Sequence, residues 1–179
     1  MDAHRAVLAA YPQALLFWAP RHPERFAAAV AASTRAGFRV GSRREDGLPA
    51  ADTEVFVVDT LGELMAFYAA ADVAFVGGSL QEVGGHNLLE PAALGVPALV
   101  GPHTFNFQEI TELLIVAGAV QRVSDASSLS KKICQLIRHP SERQRRGDAG
   151  RLRIANERGA LARTLELIGR CLPGEKGSV

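Results

Sequence analysis

The sequence is poor in cysteine, tryptophan and tyrosine, and it carries almost no net charge. Of its 179 residues, two are Cys, one is Trp and two are Tyr. Cys134 and Cys171 lie far apart in helix-like stretches, which argues against a disulfide framework or a cysteine-based metal site. Buried, reduced thiols in a cytosolic protein are the expectation. A formal charge of +1 supplies no strong field for nucleic acid or a membrane surface. No apolar run reaches the ~18 residues that a membrane span needs. The longest candidate, Met65 to Val76, is interrupted by Asp72. The opening Met1-Asp2-Ala3-His4-Arg5 does not read as a signal peptide. There is no internal repeat, low-complexity block or long linker. What is abundant is apolar: 47% of the residues are hydrophobic, enough for one core, so residues 1–179 read as a single domain.

Strand-like and helix-like stretches alternate. Ala3 to Tyr11 reads as a short helix stopped by Pro12. Ala14 to Ala19 is a continuous apolar run, fit for a strand buried on both faces. A helix follows from Phe26 and ends at Gly37. Phe38 to Val40 is a second strand, and the polar stretch from Gly41 to Asp52 reads as a loop. Glu54 to Val58 is a third strand; Asp59-Thr60 then caps a helix running from Leu61 through Ala70. Asp72 to Val76, Pro97 to Val100 and Ala119 to Val123 supply three more strands, with a helix from Phe107 to Ala117 between the last two. From Ser127 onward the chain reads as helix, with breaks at Pro140 and near Gly159, before a short Gly/Ser tail. This alternation predicts an α/β fold: a Rossmann-like parallel sheet with helices on both faces, followed by C-terminal helices.

One stretch organises the rest: Val76-Gly77-Gly78-Ser79, then Gly84-Gly85-His86-Asn87-Leu88-Leu89-Glu90-Pro91. Paired glycines between a strand and a helix permit sharp turns and close approach of a ligand to the backbone. The N–H groups that open the helix suit an anion. Asn87 and Glu90 also fit a plain capping box, and capping alone would explain both. Four glycines at such short spacing go beyond what capping needs. The pattern is neither G-x-G-x-x-G nor a Walker loop.

Pro20-Arg21-His22, Asp59-Thr60, Gly77-Gly78-Ser79 and Gly101-Pro102-His103 each follow a strand directly. A parallel sheet gathers them at its carboxyl edge, where open α/β folds bind ligands. Arg21, set between Pro20 and Pro23, offers a planar fork to a phosphate; its alternative is a surface pair with Glu24. Glu90 has acceptors for two vicinal ribose hydroxyls. The backbone of Leu61, Gly62 and Glu63 can face the edge of a base, or simply open a helix. His22, His86 and His103 share this edge, but no H-x-x-x-H spacing or Cys-His cluster accompanies them, so no metal and no cofactor is assigned. The spacing offers phosphate, ribose and base contacts together.

Four segments then carry a resemblance. They are Ala19 to Phe26, Asp59 to Leu64, Val76 to Pro91 and Gly101 to Phe107, and in this order they resemble the 3-deoxy-D-manno-octulosonic acid (Kdo) transferases of lipopolysaccharide assembly. The resemblance covers nearly the whole chain. It implies a two-domain GT-B glycosyltransferase that uses CMP-Kdo and a lipid A precursor at the cytoplasmic face of the bacterial inner membrane. The chain resembles the C-terminal, donor-binding half. By that resemblance Pro20 and Arg21 meet the CMP phosphate, Leu61, Gly62 and Glu63 lie along the cytosine, and Asn87, Leu88, Leu89 and Glu90 hold phosphate and ribose. The family often has proline where Leu88 stands. The acceptor site and acidic catalytic base belong to the N-terminal half of the family, so no catalytic residue is assigned here. The chain alone is expected to be soluble and to bind CMP without turnover.

Two other readings stay open. One is a different GT-B nucleotide-sugar transferase or epimerase; the other is a nucleotide-binding module without catalysis. The late helices carry Arg138, Arg143, Arg145, Arg146, Arg151, Arg153, Arg158, Arg163 and Arg170, interleaved with Glu142, Asp148, Glu157 and Glu166. A solvated, ion-paired face is expected, with contact to anionic lipid headgroups as the alternative.

Overall fold

The computed structural model describes the backbone of residues 1–171 and the side chains through residue 156. Its strands are β1 (Leu16–Trp18), β2 (Val40–Ser42), β3 (Val55–Val57), β4 (Ala74–Phe75), β5 (Ala98–Val100) and β6 (Val120–Arg122). Among the described residues all four strand pairings are parallel. They form two three-stranded sheets, ordered β1-β3-β2 and β4-β5-β6. The expected parallel α/β architecture is therefore present as two triplets, because β1 and β4 do not pair with each other.

The helices are α1 (Asp2–Ala10), α2 (Phe26–Arg35), α3 (Arg43–Asp46), α4 (Leu64–Ala69), α5 (Leu89–Leu94), α6 (Gln108–Val116), α7 (Ala126–Arg138) and α8 (Pro140–Cys171). β3 and β5 are the central strands and are fully buried, as their Val- and Leu-rich sequences require. Leu99, Phe56 and Val55 are all 0% exposed. β1 departs from the expected two-sided burial: as the outer strand of its sheet, Leu16, Phe17 and Trp18 are only half-buried. One apolar cluster joins Val57 to α2 through Ala29; a second gathers Val76, Leu88, Val100 and Leu114; a third packs Leu99 against Leu129 and Leu136 of α7.

Several boundaries differ from the sequence reading. The second strand lies two residues further on, at Val40–Ser42, and the expected loop after it contains α3. Gly41 makes this possible, since it faces the Phe56 ring so closely that a Cβ would sit 3.1 Å from it. The helix expected from Leu61 starts only at Leu64. Gly62 has φ +84°, a left-handed conformation that interrupts the first turn. Asp59 caps nothing there; its carboxylate accepts from the Arg44 backbone N–H at 2.8 Å. α8 passes through Gly159 without the expected break, since glycine lowers helix propensity without forbidding the helix.

The expected arginine face is partly a set of anchors. Glu142 accepts from Arg145 and Arg146 at 2.8 and 2.6 Å, while Arg143 pairs with Asp72 at 3.1 Å. Arg146 also donates to the Gly118 carbonyl at 2.8 Å, tying α8 to the turn before β6. Glu157, Arg158, Arg163, Glu166 and Arg170, with the Cys171 side chain and the tail, lie outside the described residues. Cys134 is a half-buried free thiol.

Candidate donor site

The carboxyl ends of neighbouring strands are stitched together by short polar contacts. After β4, the Ser79 hydroxyl donates to the Val76 carbonyl at 2.6 Å and accepts from the Gly101 N–H at 2.8 Å. The Ser79 carbonyl accepts from the His103 N–H at 2.9 Å, so the loops after β4 and β5 share one hydroxyl and one carbonyl. Arg122, at the end of β6, donates to the Gly101 carbonyl and to the Thr104 hydroxyl, each at 3.2 Å, and pairs with Glu112 at 2.5 Å.

The glycine pairs shape this rim. Gly78, Gly84 and Gly85 have φ of +71°, +96° and +76°. These turns close the loop on itself, with the Gly85 N–H donating to the Gly78 carbonyl at 2.8 Å. A Cβ at Gly84 would stand 2.3 Å from the Asn106 side chain, so the loop after β5 nests directly on it.

The anion site expected at the start of α5 is altered. The Leu89 N–H is already taken by Asn87 Oδ1 at 3.0 Å. The expected capping box does not form, because the Glu90 carboxylate meets the Asn87 side-chain amide at 3.3 Å, not the Asn87 backbone. The Leu88 side chain is 1% exposed and packs in the core, so only its backbone can face a ligand at the start of α5.

Arg21 lies exposed after β1, and its Nη1 donates to His86 Nδ1 at 2.9 Å. It does not pair with Glu24, which instead stands 4.0 Å from His22. Burial, then the charges of Arg21 and His22, hold His86 below the usual histidine range, consistent with a neutral ring accepting at Nδ1. The loops after β1 and β4 therefore meet across the break between the two sheets. Pro20 precedes this contact, half-buried.

Glu90 and Leu89 line an open, mostly apolar groove of about 580 Å³ together with Met65, Ala93, Ile110 and Leu113. Met65 belongs to α4, so this groove brings the Glu90 segment beside the helix that follows Leu61-Gly62-Glu63. Leu61 is 71% exposed, and a Cβ at Gly62 would meet nothing within 4 Å. The Glu63 carboxylate, by contrast, is occupied. It accepts from Arg43 at 2.7 and 3.1 Å and from the Thr60 hydroxyl at 2.5 Å. These hydrogen bonds, with Arg43 the largest influence, hold its carboxyl down to about 2. With the Glu63 carboxylate taken, this segment offers a ligand the exposed Leu61 side chain and the backbone of Leu61 and Gly62. Arg43 was hidden from the sequence reading inside an assumed loop, although Ser42 with Glu45 three residues on marks a helix start; the Ser42 hydroxyl accepts from the Glu45 N–H at 3.4 Å.

Residues 51–153 fit the family described as glycosyl transferases group 1.

The chain belongs to this family.

The chain is 43% identical over 169 residues to the 3-deoxy-D-manno-octulosonic acid transferase of Haemophilus influenzae, covering 94% of this chain and 40% of that protein. The enzyme of the same name from Bordetella pertussis is also 43% identical over 169 residues, covering 94% of this chain and 39% of that protein. Among solved structures, the chain is similar to the crystal structure of the C-terminal CMP-Kdo binding domain of WaaA from Acinetobacter baumannii. The TM-score is 0.78 at 32% identity, over 86% of this chain and 83% of that one. The kinship with Kdo transferases and the α/β fold of their C-terminal domain stand on these matches. The chain spans about two fifths of the length of the curated relatives it matches. Among the described residues, no helix is long and apolar enough to cross a membrane.

Proposed function

We propose that this chain is the donor-binding domain of a glycosyltransferase that moves Kdo from CMP-Kdo to a lipid A precursor at the cytoplasmic face of the inner membrane. The observation that carries the reading is the meeting of the loops after β1 and β4. It presents Arg21 beside the rim of a chain related over 94% of its length to Kdo transferases. Arg21 receives the phosphate of CMP, and release of Nη1 from His86 makes that nitrogen available beside Nη2 for bidentate binding. Glu90 accepts from the ribose hydroxyls at the head of the apolar groove. The backbone of Leu61, Gly62 and Glu63 faces the cytosine across the open space over Gly62. Pro20, Asn87 and Leu89 shape the walls, and Leu88 supports them. The work of the domain is to orient the donor and to stabilise the departing CMP by charge. No metal or other cofactor takes part.

Calorimetric titration with CMP, with UMP as control, tests this. Binding of CMP in clear preference to UMP is the expected result. Equal or absent binding of both would remove the cytidine assignment. The chain mixed with CMP-Kdo and lipid A precursor should give no Kdo-modified product, because the residues that bind the acceptor are assigned to another domain.

A further inference from the structure

A charge clamp between Arg43 and Glu63 holds the segment from Asp59 to Glu63 in place. Arg43 is the first residue of α3, directly after β2, and β2 lies beside β3 with Ser42 opposite Val57. Its side chain reaches across to the loop after β3. Nη2 donates to Glu63 Oε1 at 2.7 Å, and Nε stands 3.1 Å from both carboxylate oxygens. Nη1 donates to the Gly47 carbonyl, which fixes the guanidinium plane from behind. The neighbouring Arg44 N–H holds the Asp59 carboxylate at 2.8 Å, and Asp59 is only 8% exposed. The start of α3 thus grips both ends of the segment from Asp59 to Glu63. Between the two grips stand Leu61, 71% exposed, and Gly62 at φ +84°. An exposed leucine next to a left-handed glycine is a backbone that local preference alone would leave loose. On the segment both grips close on carboxylates, Asp59 and Glu63, and although the Asp59 and Glu63 carbonyls are engaged by Arg44 and Ala66, the backbone of Leu61 and Gly62 between them is not drawn into the clamp.

We propose that Arg43 is a positioning residue for base selection: its fork on Glu63 sets the backbone of residues 61–63 at the distance where it distinguishes cytosine from uracil. The inference rests on the donor-binding reading above. A lysine cannot replace the fork, because it offers a point charge without planar geometry.

The test compares wild type, Arg43→Lys, Arg43→Ala and Glu63→Gln by calorimetry with CMP, UMP and cytidine, alongside thermal melting. Arg43→Lys should weaken CMP and cytidine equally, by about tenfold, the equivalent of one charge-assisted hydrogen bond. The preference for CMP over UMP should fall toward unity, with melting little changed. Combining Arg43→Lys with Glu63→Gln should add nothing further, since both break one contact. A substitution that acts only on phosphate binding would spare cytidine, so the two kinds of loss are separable. If Arg43→Ala fails to fold, Glu63→Gln reports the same preference ratio. An unchanged CMP-to-UMP ratio in Arg43→Lys and Glu63→Gln, with wild type selective for CMP, overturns this inference and leaves the donor reading intact. A wild type that binds no CMP overturns both.

Discussion

The two sheets reach stability by different routes. In the β4-β5-β6 half, backbone rests on backbone. A Cβ at Gly101 would sit 2.1 Å from the Ser79 carbonyl oxygen, and one on Gly147 of α8 would sit 1.9 Å from the Gly95 carbonyl oxygen. In the β1-β3-β2 half, the corresponding ties are side chains. Arg39 pairs with Glu54 at 2.8 Å, Arg43 with Glu63 at 2.7 Å, and Phe17, Phe56 and Phe67 pack with centroids 5.1 to 6.3 Å apart. Backbone contact leaves no room for adjustment, whereas side-chain ties can shift. The first half thus adds, to its own side-chain ties, main-chain contacts that cannot give, whereas the wall carrying Arg21 and the 61–63 segment is held more by side chains.

Matched glycine substitutions should break this comparison most sharply. Gly101→Ala drives a methyl into main-chain atoms and should lower stability by about 3 kcal/mol, at the upper end for overpacking. Gly41→Ala meets only the Phe56 ring at 3.1 Å and the Asp46 carboxylate at 3.2 Å, both on side chains. It should lose about 1 kcal/mol. Urea denaturation of the pair measures both. Equal losses would mean that the two halves are equally unyielding.

A smaller effect is expected at Arg21, and it concerns binding. Arg21→Ala should weaken CMP by about ten- to a hundredfold, the range for a lost charge-assisted hydrogen bond. Cytidine, lacking the phosphate, should bind both forms alike. An unchanged CMP affinity would take Arg21 out of the site. Glu90→Gln is expected to weaken CMP by about 1–3 kcal/mol, since one carboxylate acceptor becomes a donor facing a ribose hydroxyl. The loss should not add to that of dCMP, which lacks one of those hydroxyls. A variant that loses melting temperature but keeps affinity would make Glu90 a structural residue.

Much of this was legible in the sequence because buried parallel strands are written as short apolar runs. Val55 to Val57 and Ala98 to Val100 are 2% exposed or less, and their shortness, Val content and flanking turn residues suit buried strands. The strand ends in turn located Arg21, Gly77-Gly78 and Gly101. What stayed hidden were features set by single contacts between distant segments. The four-residue α3 has no apolar period, so only Ser42 and Glu45 marked it. The delay of α4 depends on the left-handed Gly62, and the failed capping box depends on Glu90 turning to the Asn87 amide. The sequence shows that residues 43 and 63 have opposite charges, but not that the register of β2 on β3 brings them together.

The smallest effect separates His4 and His86 from the Arg43–Glu63 contact by pH. His4 of α1 is buried, and its Nε2 meets the Glu54 carbonyl at 2.8 Å. Burial is the largest influence on it and lowers its pKa from the ordinary 6.5, against the opposing pull of Glu54. The folded state therefore disfavours the charged ring, and the unfolded chain binds more protons. Stability is full above 6.5, declines as pH falls through the unfolded value, and levels off below the folded one. His86 is shifted in the same direction and adds to the decline. Glu63 behaves differently: its lowered carboxyl, near 2, keeps the Arg43 clamp charged until the pH falls well below the ordinary 4.5. Between pH 7 and 5 the urea midpoint should therefore drop while the preference for CMP over UMP persists. His4→Gln, whose amide can still donate to the Glu54 carbonyl, should flatten part of that drop without altering the preference. If the preference instead fades in step with the midpoint, the base-facing segment depends on the histidine-supported packing of its half, and not on the Arg43–Glu63 contact.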